Sequence, residues 1–483
     1  MLANEPLILC FGRPRVCRGA LSLALLLCLL AACGSEADES SGEQGPDDAE
    51  RRPHVVLISI DTLRADHLSC YGYERETSPV LDALAEEAYL FENVIAASSS
   101  TGPSHTSLFT GVLPRVHGIY NERPALPSPN LPYLPEMMSK AGWRTAAFAD
   151  GGILTSDYGF ARGYQHFESV YEPFDQKLDD VEQWLQNAPD DPTFLFVHTY
   201  GVHAPYLPAP GHDLFTDPNA FGTLKKLAET LSARRDRGKL AELDGALRLF
   251  WKQLDRTSFS EADLIYLKAL YDGAIHGVDA GVGRLLGALE NKGWLDDAWV
   301  IVTSDHGEAF GEHGTFSHRR INQAELWVPL IVRPPGGHSG SRVSARVSHL
   351  DILPTLIELL GLRSHPALQG ESLWPFESLV DDRRVLATEG TLRQDAVFDG
   401  GHKLITGAKQ EPKLYAIDDD PHELTDLAAD PAMRASVQAL RALLDAMRSD
   451  AELLVERVGE PIVDVEGLDP ERLAELRALG YLK

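Results

Sequence analysis

Short apolar runs, each bounded by polar or turn-forming residues, recur along the chain after residue 53. Runs of roughly four to eight residues are typical of strands that are buried on both faces of a sheet. We predict strands at His54–Ile60, Thr145–Ala149, Thr193–Tyr200, Ala298–Thr303 and Val328–Val332. Because helical patterns separate these runs, the sequence predicts an α/β fold whose central, mostly parallel sheet is covered by helices on both faces.

The helical patterns also indicate how the chain is organised. We predict helices at Pro79–Ala88, Ser104–Thr110, Ser260–Lys292 and Asp351–Leu360. Residues 215–260 are charged and helical, which indicates an insertion into a main domain spanning 54–380. Beyond 380 the pattern changes to short strands at Val385–Glu389, His402–Ile405 and Lys413–Ile417, then helices at 430–450 and 469–478. This change predicts a smaller C-terminal α+β subdomain, 381–483.

The first 53 residues carry an export pattern instead of a folded element. Basic residues precede an apolar run, Ala20–Leu30, that is too short to span a bilayer as a helix. The run leads into Leu-Ala-Ala-Cys ending at Cys33, which resembles the bacterial lipoprotein box and implies a signal peptide over 1–32 and lipidation of Cys33. Residues 33–53 are acidic and rich in Gly, Ser and Pro, which predicts a flexible tether. We expect a lipoprotein anchored to a membrane of the bacterial cell envelope; a secretory signal with a chance cysteine is the alternative.

Composition narrows the class of partners. The chain has 483 residues with 44 Lys and Arg against 72 Asp and Glu, a net charge of −28. This charge repels phosphate backbones, so we predict no nucleic-acid partner. Of the five cysteines, only Cys70 follows the export segment, which excludes an internal disulfide after processing.

Candidate chemistry follows the predicted strands. In doubly wound sheets, ligands bind beyond the carboxyl ends of the strands. Asp61 follows the first strand, His203 the third, and Asp305 with His306 the fourth. Carboxylates and imidazoles that converge at one edge are suitable ligands for a divalent cation. Helix capping is the alternative for each single Asp.

The segment Ser100–Gly111 is the most informative. Pro103 near its start and Gly111 at its end predict a short helix. Thr101 then lies at the helix N-terminus, where free N–H groups and the helix dipole favour an anion. A hydroxyl at this place beside a metal can be held as an alkoxide and attack phosphorus or sulfur. A capping role is the alternative for Thr101.

The same segment resembles the signature of the sulfatases, within the alkaline phosphatase superfamily. The residues in register with that signature are Thr101, Pro103, Ser104, Leu108, Thr110 and Gly111. Other segments typical of the family are 60–66, 203–206, 303–308, 311–314, 351–355, 414–415, 420–423 and 476–481. The resemblance covers nearly all of the chain after residue 54 and implies an alkaline-phosphatase-like fold.

Two positions depart from the sulfatase signature. Sulfatases need a formylglycine made from Cys or Ser, within a motif that contains an Arg; here these positions hold Thr101 and His105. Oxidation of the secondary alcohol of Thr gives a ketone and not an aldehyde, so we predict no formylglycine. Thr101 as a direct nucleophile resembles the phosphoryl-transferring relatives: lipoteichoic acid synthase, phosphoethanolamine transferases and nucleotide pyrophosphatases.

A third departure concerns the metal. Thr62 stands where sulfatases have the second of two adjacent Asp residues, and the loop after the third strand offers Gly201 and not Asp. The resemblance therefore implies a single divalent ion rather than two. The implied ligands are Asp61, Thr101, Asp305 and His306. This mixed set suits Mn²⁺ or Zn²⁺, whereas Ca²⁺ or Mg²⁺ would be expected with oxygen ligands alone.

Four further residues are candidates for contact with an anionic ester substrate or with the nucleophile. His203 is the first candidate for substrate binding and for protonating a leaving oxygen, and His318 is the second candidate for substrate binding. His105 is a candidate for orienting the nucleophile. Arg64 contacts either substrate or a neighbouring carboxylate. A satisfied core or surface residue is the alternative for each His.

Together these features predict a metal-dependent hydrolase or transferase that acts on phosphate- or sulfate-type esters through Thr101, with phosphoester and phosphodiester chemistry favoured. Sulfate ester hydrolysis without formylglycine is one alternative. A non-catalytic surface lipoprotein on a sulfatase-like scaffold is another, and the retention of Asp61, Asp305 and His306 argues against it.

Overall fold

The central strand of the sheet, β1 (His54–Ile60), is buried at every position, which explains why its sequence is mostly apolar and does not alternate between apolar and polar residues. The computed structural model of the chain describes residues 52–120, 125–220, 222–235, 247, 249–254, 259–380, 384–389, 393–408, 410–462, 473, 475–477 and 479. The predicted signal peptide, Cys33 and nearly all of the predicted tether lie outside the described residues. No helix within the described ranges combines the length and the apolar character needed to span a bilayer.

The other strands are β2 Tyr89–Ile95, β3 Arg144–Ala149, β4 His166–Ser169, β5 Thr193–Thr199, β6 Ala298–Thr303, β7 Ala309–Phe310, β8 Phe316–Ser317, β9 Trp327–Arg333, β10 Ser341–Ser348, β11 Val385–Glu389, β12 Gln394–Asp399, β13 His402–Gly407 and β14 Gln410–Ala416. The helices are α1 Pro79–Ala85, α2 Thr101–Thr110, α3 Pro114–His117, α4 Leu134–Lys140, α5 Phe174–Asn187, α6 Thr223–Arg235, α7 Glu261–Lys292, α8 Gln323–Leu326, α9 Ile352–Leu359 and α10 Arg434–Val458.

The main sheet has eight strands in the order β10-β2-β9-β6-β1-β5-β3-β4. Strands β6, β1, β5, β3 and β4 are parallel, whereas β9 runs antiparallel to both of its neighbours. One face packs against α2, α4 and α9, and the other packs against α1, α5 and α7. The predicted α/β fold with a mostly parallel sheet covered on both faces is confirmed.

The five predicted strands are all present, with ends that differ by a residue at most. Strands β2, β4 and β10 were not predicted. They lie at or near the sheet edges, and β10 carries polar residues at five of its eight positions (SRVSARVS), so its hydrophobic signal is weak. Helix α2 begins three residues earlier than predicted, at Thr101 itself.

The C-terminal part contains the four-stranded antiparallel sheet β11-β12-β13-β14, which confirms the predicted change of pattern, although β12 was not among the three predicted strands. Helix α10 packs Leu440 and Leu444 against this sheet. Of the predicted insertion, α6 and residues 249–254 are helical, and other parts lie outside the described residues. The predicted helix at 469–478 lies largely outside them too. The boundary at 380 stays a prediction.

A buried ion pair in the C-terminal part is hydrogen-bonded to the start of α8. Lys403 Nζ in β13 lies 2.6 Å from Glu423 Oε1, and both side chains are fully buried. The other carboxylate oxygen, Oε2, accepts hydrogen bonds from Asn322 Nδ2 (2.6 Å) and the Gln323 N–H (3.0 Å). Burial acts to raise the pKa of Glu423, but the Lys403 ammonium outweighs it and holds the pKa at about 2.

We expect Glu423→Gln to lower the free energy of unfolding by about 3–5 kcal/mol at neutral pH, because it leaves the Lys403 charge buried without a partner. Since the folded pKa is depressed, the contribution of Glu423 is present at neutral pH and is lost as the pH falls through about 4.5 toward about 2. Urea unfolding of the parent and the variant across this pH range measures the contribution of Glu423 to the free energy of unfolding. Exposed Glu411→Gln on β14 is the matched control, and equal losses in the two variants would contradict the prediction.

Candidate functional site

The catalytic candidates meet at the carboxyl ends of two adjacent strands. Strands β1 and β6 pair in parallel register, so the residues that follow them, Asp61 and Asp305, face one another. Helix α2 begins at the same edge and brings in Thr101. Its Oγ1 donates a hydrogen bond to Asp61 Oδ2 (3.1 Å) and lies 3.3 Å from His306 Nε2. The structure thus brings together all four residues predicted as metal ligands.

The donor set fits a divalent cation. One ligand atom from each of Asp61, Asp305 and His306 lies within 4.8 Å of the others, and all three residues are buried. Asp61 Oδ1 and Asp305 Oδ2 are buried without a hydrogen-bond partner among the described residues. Buried carboxylate oxygens in this state are costly unless a positive charge compensates them. A bound cation would supply that charge.

The electrostatics of the carboxylate pair agree with this interpretation. Burial, and next the adjacent Asp305 carboxylate, raise the pKa of Asp61 well above its ordinary value. The nearby imidazoles of His105 and His306 do not relieve the pair by becoming charged, because burial lowers the pKa of each of them. A cation from outside the chain would offset the charge of this carboxylate pair.

The turn after β1 and a hydrogen bond of His306 orient the proposed metal ligands. Thr62 adopts a left-handed conformation (φ 58°), which is unfavourable for a β-branched residue and sharpens the turn after β1. Its N–H donates to Asp305 Oδ1 (3.2 Å), so the turn also holds the second carboxylate. His306 Nδ1–H donates to the Gly307 carbonyl (3.0 Å). This bond leaves the lone pair of Nε2 facing Thr101 and the carboxylates, as a metal-ligating imidazole requires.

His105 lies beneath the nucleophile and not on the substrate side. It is fully buried in α2, and its Nδ1–H donates to the Thr101 carbonyl (2.9 Å). Its Nε2 accepts from Ser59 Oγ in β1 (2.9 Å). The ring therefore ties the first turn of α2 to the central strand. This geometry supports the predicted orienting role of His105 and gives no direct contact with a substrate.

His198 is a further imidazole at this site, on β5. Its Nδ1 accepts from the Asp150 N–H (3.4 Å), so its Nε2–H faces Asp61 Oδ2 at 3.5 Å. Asp150 is held in turn by the buried Lys177 ammonium (3.0 Å). The order Lys177, Asp150, His198, Asp61 forms a layer of contacts behind a predicted ligand, in which His198 lies against Asp61.

We expect His198→Ala to weaken metal affinity by about 10–100-fold, because ligand-orienting partners contribute about this much. The kcat at saturating metal should change far less, since the ligands themselves remain. Metal titration followed by activity separates the two effects. His198→Asn, which keeps an N–H donor, should lie between the parent and the Ala variant. His402→Ala in the C-terminal sheet is the control, and unaltered metal affinity in His198→Ala would contradict the prediction.

Two predicted substrate residues line the other side of the site. The ring of His318 lies 4.4 Å from that of His306 and 5.1 Å from that of His203, centre to centre. Burial, with neighbouring charges, lowers the pKa of both His203 and His318 to about 4, so both rings are neutral at pH 7. His203 Nδ1–H donates to the Ala204 carbonyl (2.8 Å), which places its lone pair on Nε2.

Arg64 takes the second of its two predicted alternatives, contact with neighbouring carboxylates. It is 4% exposed, and its Nε and Nη2 both donate to Asp66 (2.8 and 2.6 Å). Its Nη1 donates to Glu312 and to the Glu308 carbonyl. With these bonds made, Arg64 fixes the loop after β6 and gives no support to a substrate contact.

Sequence reasoning missed His349, which lies next to the metal candidates. Its Nδ1–H faces Ser104 Oγ (3.2 Å), and that hydroxyl donates to the Asp305 carbonyl (2.6 Å). Burial lowers the pKa of His349 to about 3. His349 follows β10, so the rule that found the other residues would have found it too, had that edge strand been predicted.

Glu308, also missed, lies beside the substrate candidates. Its Oε2 is 3.4 Å from His318 Nδ1, and burial raises its pKa to about 7. The sequence offered one indication of Glu308: it lies two residues after His306. The segment 303–308 was interpreted only as a metal-binding segment, so Glu308 was not considered as a neighbour of the substrate. Glu308 orients His318 by accepting from its Nδ1–H.

Known proteins resemble this chain over most of its length. The sequence profile of the Sulfatase family matches residues 53–362, and that of the N-sulphoglucosamine sulphohydrolase C-terminal region matches 311–450. An N-acetylglucosamine-6-O-sulfatase of Bacteroides thetaiotaomicron is 25% identical over 425 residues, 74% of each chain.

Solved structures share the fold. A phosphonate monoester hydrolase of Agrobacterium radiobacter superposes with a TM-score of 0.67 at 23% identity, over 83% of this chain and 96% of that one. A structure in complex with its substrate D-glucosamine-2-N,6-O-disulfate gives a TM-score of 0.66 at 21% identity, over 83% and 98%. With the profile match over 53–362, the chain belongs to the Sulfatase family.

Proposed function

We propose that this protein is a metal-dependent hydrolase or transferase of phosphate- and phosphonate-type esters with Thr101 as its nucleophile. The observation that carries the proposal is the position of Thr101 Oγ1, buried at the first residue of α2 within hydrogen-bond distance of Asp61 and His306. A side chain at this place that cannot yield an aldehyde acts through its own hydroxyl.

The proposed metal site consists of Asp61, Asp305, His306 and Thr101. When bound, a divalent ion, with Mn²⁺ or Zn²⁺ favoured, supplies positive charge that lowers the pKa of an adjacent hydroxyl. The chain adds the N-terminus of α2, whose dipole favours the negative charge of the transferring group. Asp61 Oδ2 accepts the hydrogen bond from Thr101 Oγ1 and so aligns the hydroxyl for attack.

The proposed reaction has two displacements. In the first, Thr101 Oγ1 loses its proton and forms a bond to phosphorus, the bond to the leaving oxygen breaks, and that oxygen takes up the proton lost by Thr101. In the second, water or an alcohol loses a proton and attacks the same phosphorus, the bond from phosphorus to Thr101 Oγ1 breaks, and Oγ1 takes up that proton. His203 Nε2 accepts and returns this proton, because an anionic substrate nearby would raise its pKa from about 4 toward neutrality.

Sulfate ester hydrolysis is the second candidate. It is supported by the activities of relatives, among them the N-acetylglucosamine-6-O-sulfatase. In either case the substrate is an anionic ester, and the neutral rings of His203 and His318 can bind it without the desolvation cost of a buried charge.

A substrate panel tests the proposal. We expect purified metal-loaded protein to turn over an aryl phosphodiester or phosphonate monoester faster than the matching aryl sulfate. Faster turnover of the sulfate would favour the second candidate. Turnover of none of the three by protein shown to contain metal would favour a non-catalytic scaffold.

We propose further that Cys33 anchors the protein to a membrane of the bacterial cell envelope, on the sequence evidence of the lipoprotein box. Labelling with a fatty-acid analogue should modify the parent and not Cys33→Ser. Equal labelling of both would contradict the anchor.

A further inference from the structure

A second cavity, separate from the site above, is lined by four arginines. Its volume is about 490 Å³, and it lies where α3, the end of β13 and helix α10 meet. Arg115 comes from α3, Arg393 immediately precedes β12, and Arg441 and Arg448 come from α10. Because seven residues separate the last two, they share one face of the helix. No residue that lines this cavity belongs to the candidate catalytic site.

The arginines exceed the acidic groups that face them. Arg115 and Arg448 both bind one buried carboxylate, Asp395. Arg448 also binds the exposed Asp445 at 3.1 Å. Glu452 also faces Arg115. Four guanidinium groups thus meet three carboxylates of the described residues, which leaves a local charge of +1 in a chain whose net charge is −28.

Two of the four arginines have no acidic partner in the part of the chain that the structure describes. Arg393 and Arg441 are exposed, and neither forms an ion pair with a carboxylate of the described residues. Structural ion pairs explain why Arg115 and Arg448 lie at the cavity. They do not explain why Arg393 and Arg441 line the same cavity. Like charges that converge repel one another unless an anion lies between them.

We propose that this cavity binds a sulfate or phosphate group. Guanidinium groups bind such oxyanions through paired N–H donors, and the cavity volume is in the range of small-molecule sites. The group arrives either as a free inorganic ion or as a substituent of a sulfated oligosaccharide. The inference does not rest on the proposed catalytic function.

The test compares charge-matched variants of the full chain. Arg393→Gln/Arg441→Gln removes the two unpaired guanidiniums and keeps both arginines that bind Asp395. Arg363→Gln/Arg457→Gln removes the same charge from exposed positions outside the cavity. Isothermal titration uses inorganic sulfate, inorganic phosphate and a sulfated heparin disaccharide as separate probes, and kcat/KM on an aryl ester is measured in parallel.

We expect the parent and the control variant to bind at least one probe with equal affinity. The cavity variant should bind that probe at least tenfold more weakly, and kcat/KM should be the same in all three proteins. Binding of the inorganic ions identifies a free ion as the ligand, and binding of the disaccharide alone identifies the oligosaccharide. Equal binding by parent and cavity variant, equal losses in cavity variant and control, or binding of no probe outside the catalytic site would overturn the proposal.

Discussion

Replacement of Thr101 by Ala should lower kcat by about 10⁴-fold or more, because it removes the proposed nucleophile while leaving the other ligands in place. The substitution deletes one hydroxyl and one methyl group at the start of α2 and leaves the His105 bond to the residue 101 carbonyl available. Circular dichroism and metal content should match those of the parent. Single-turnover kinetics on the best ester of the panel measures the loss.

The matched variants separate chemistry from packing. Thr101→Ser keeps a hydroxyl and should keep a large part of the activity. Thr106→Ala removes a buried hydroxyl from the same helix, one that donates to the Gly102 carbonyl, and should leave kcat within about tenfold of the parent. Undiminished turnover by Thr101→Ala would contradict a nucleophilic role.

The covalent intermediate gives an independent readout of the same prediction. During turnover of a phosphoester, mass spectrometry should find a phosphoryl adduct on the peptide that contains Thr101. The Ser variant should carry the adduct at the same position. An adduct on another residue, with Thr101 unmodified, would assign the nucleophile elsewhere.

Removal of the divalent ion should abolish activity, with a loss of about 10³-fold or more, because the charge that activates the hydroxyl contributes several kcal/mol. Dialysis against a chelator followed by addition of Mn²⁺, Zn²⁺, Ca²⁺ or Mg²⁺ measures the loss and identifies the ion that restores turnover. The melting temperature should fall on chelation as well, since a ligand that binds only the folded state stabilises it. Undiminished activity in protein from which the metal has been removed would contradict metal dependence.

Asp61→Asn tests the electrostatic reason for the metal. It should bind metal weakly and be inactive, yet the variant should be more stable than the metal-free parent, because it removes one of two adjacent buried carboxylates. Since the folded pKa of Asp61 is raised, the stability of the metal-free parent should fall as the pH rises past the ordinary carboxylate range, whereas Asp61→Asn should lack this component. Exposed Asp419→Asn is the control, and thermal unfolding in chelator from pH 4 to pH 8 measures all three.

Much of the fold could be predicted from sequence because the central strands are buried on both faces. Strands β1 and β6 appear as continuous apolar runs, and both end where predicted. Strand β10 could not be predicted, since one of its faces is partly exposed and its side chains include two arginines. Missing that strand also meant missing His349, which follows it.

The sequence by itself determined the nucleophile candidate, the four proposed ligands and the family resemblance, because these depend on residue type and on position after a strand or at a helix start. The tertiary structure decided what surrounds them. It showed that Arg64 is held by carboxylates, that His105 lies beneath the nucleophile, and that His198 lies against Asp61. It also brought together the arginines of the second cavity, which are up to 333 positions apart in the chain (448 minus 115). Contacts of this kind depend on how distant segments pack, and no local pattern of residues encodes them.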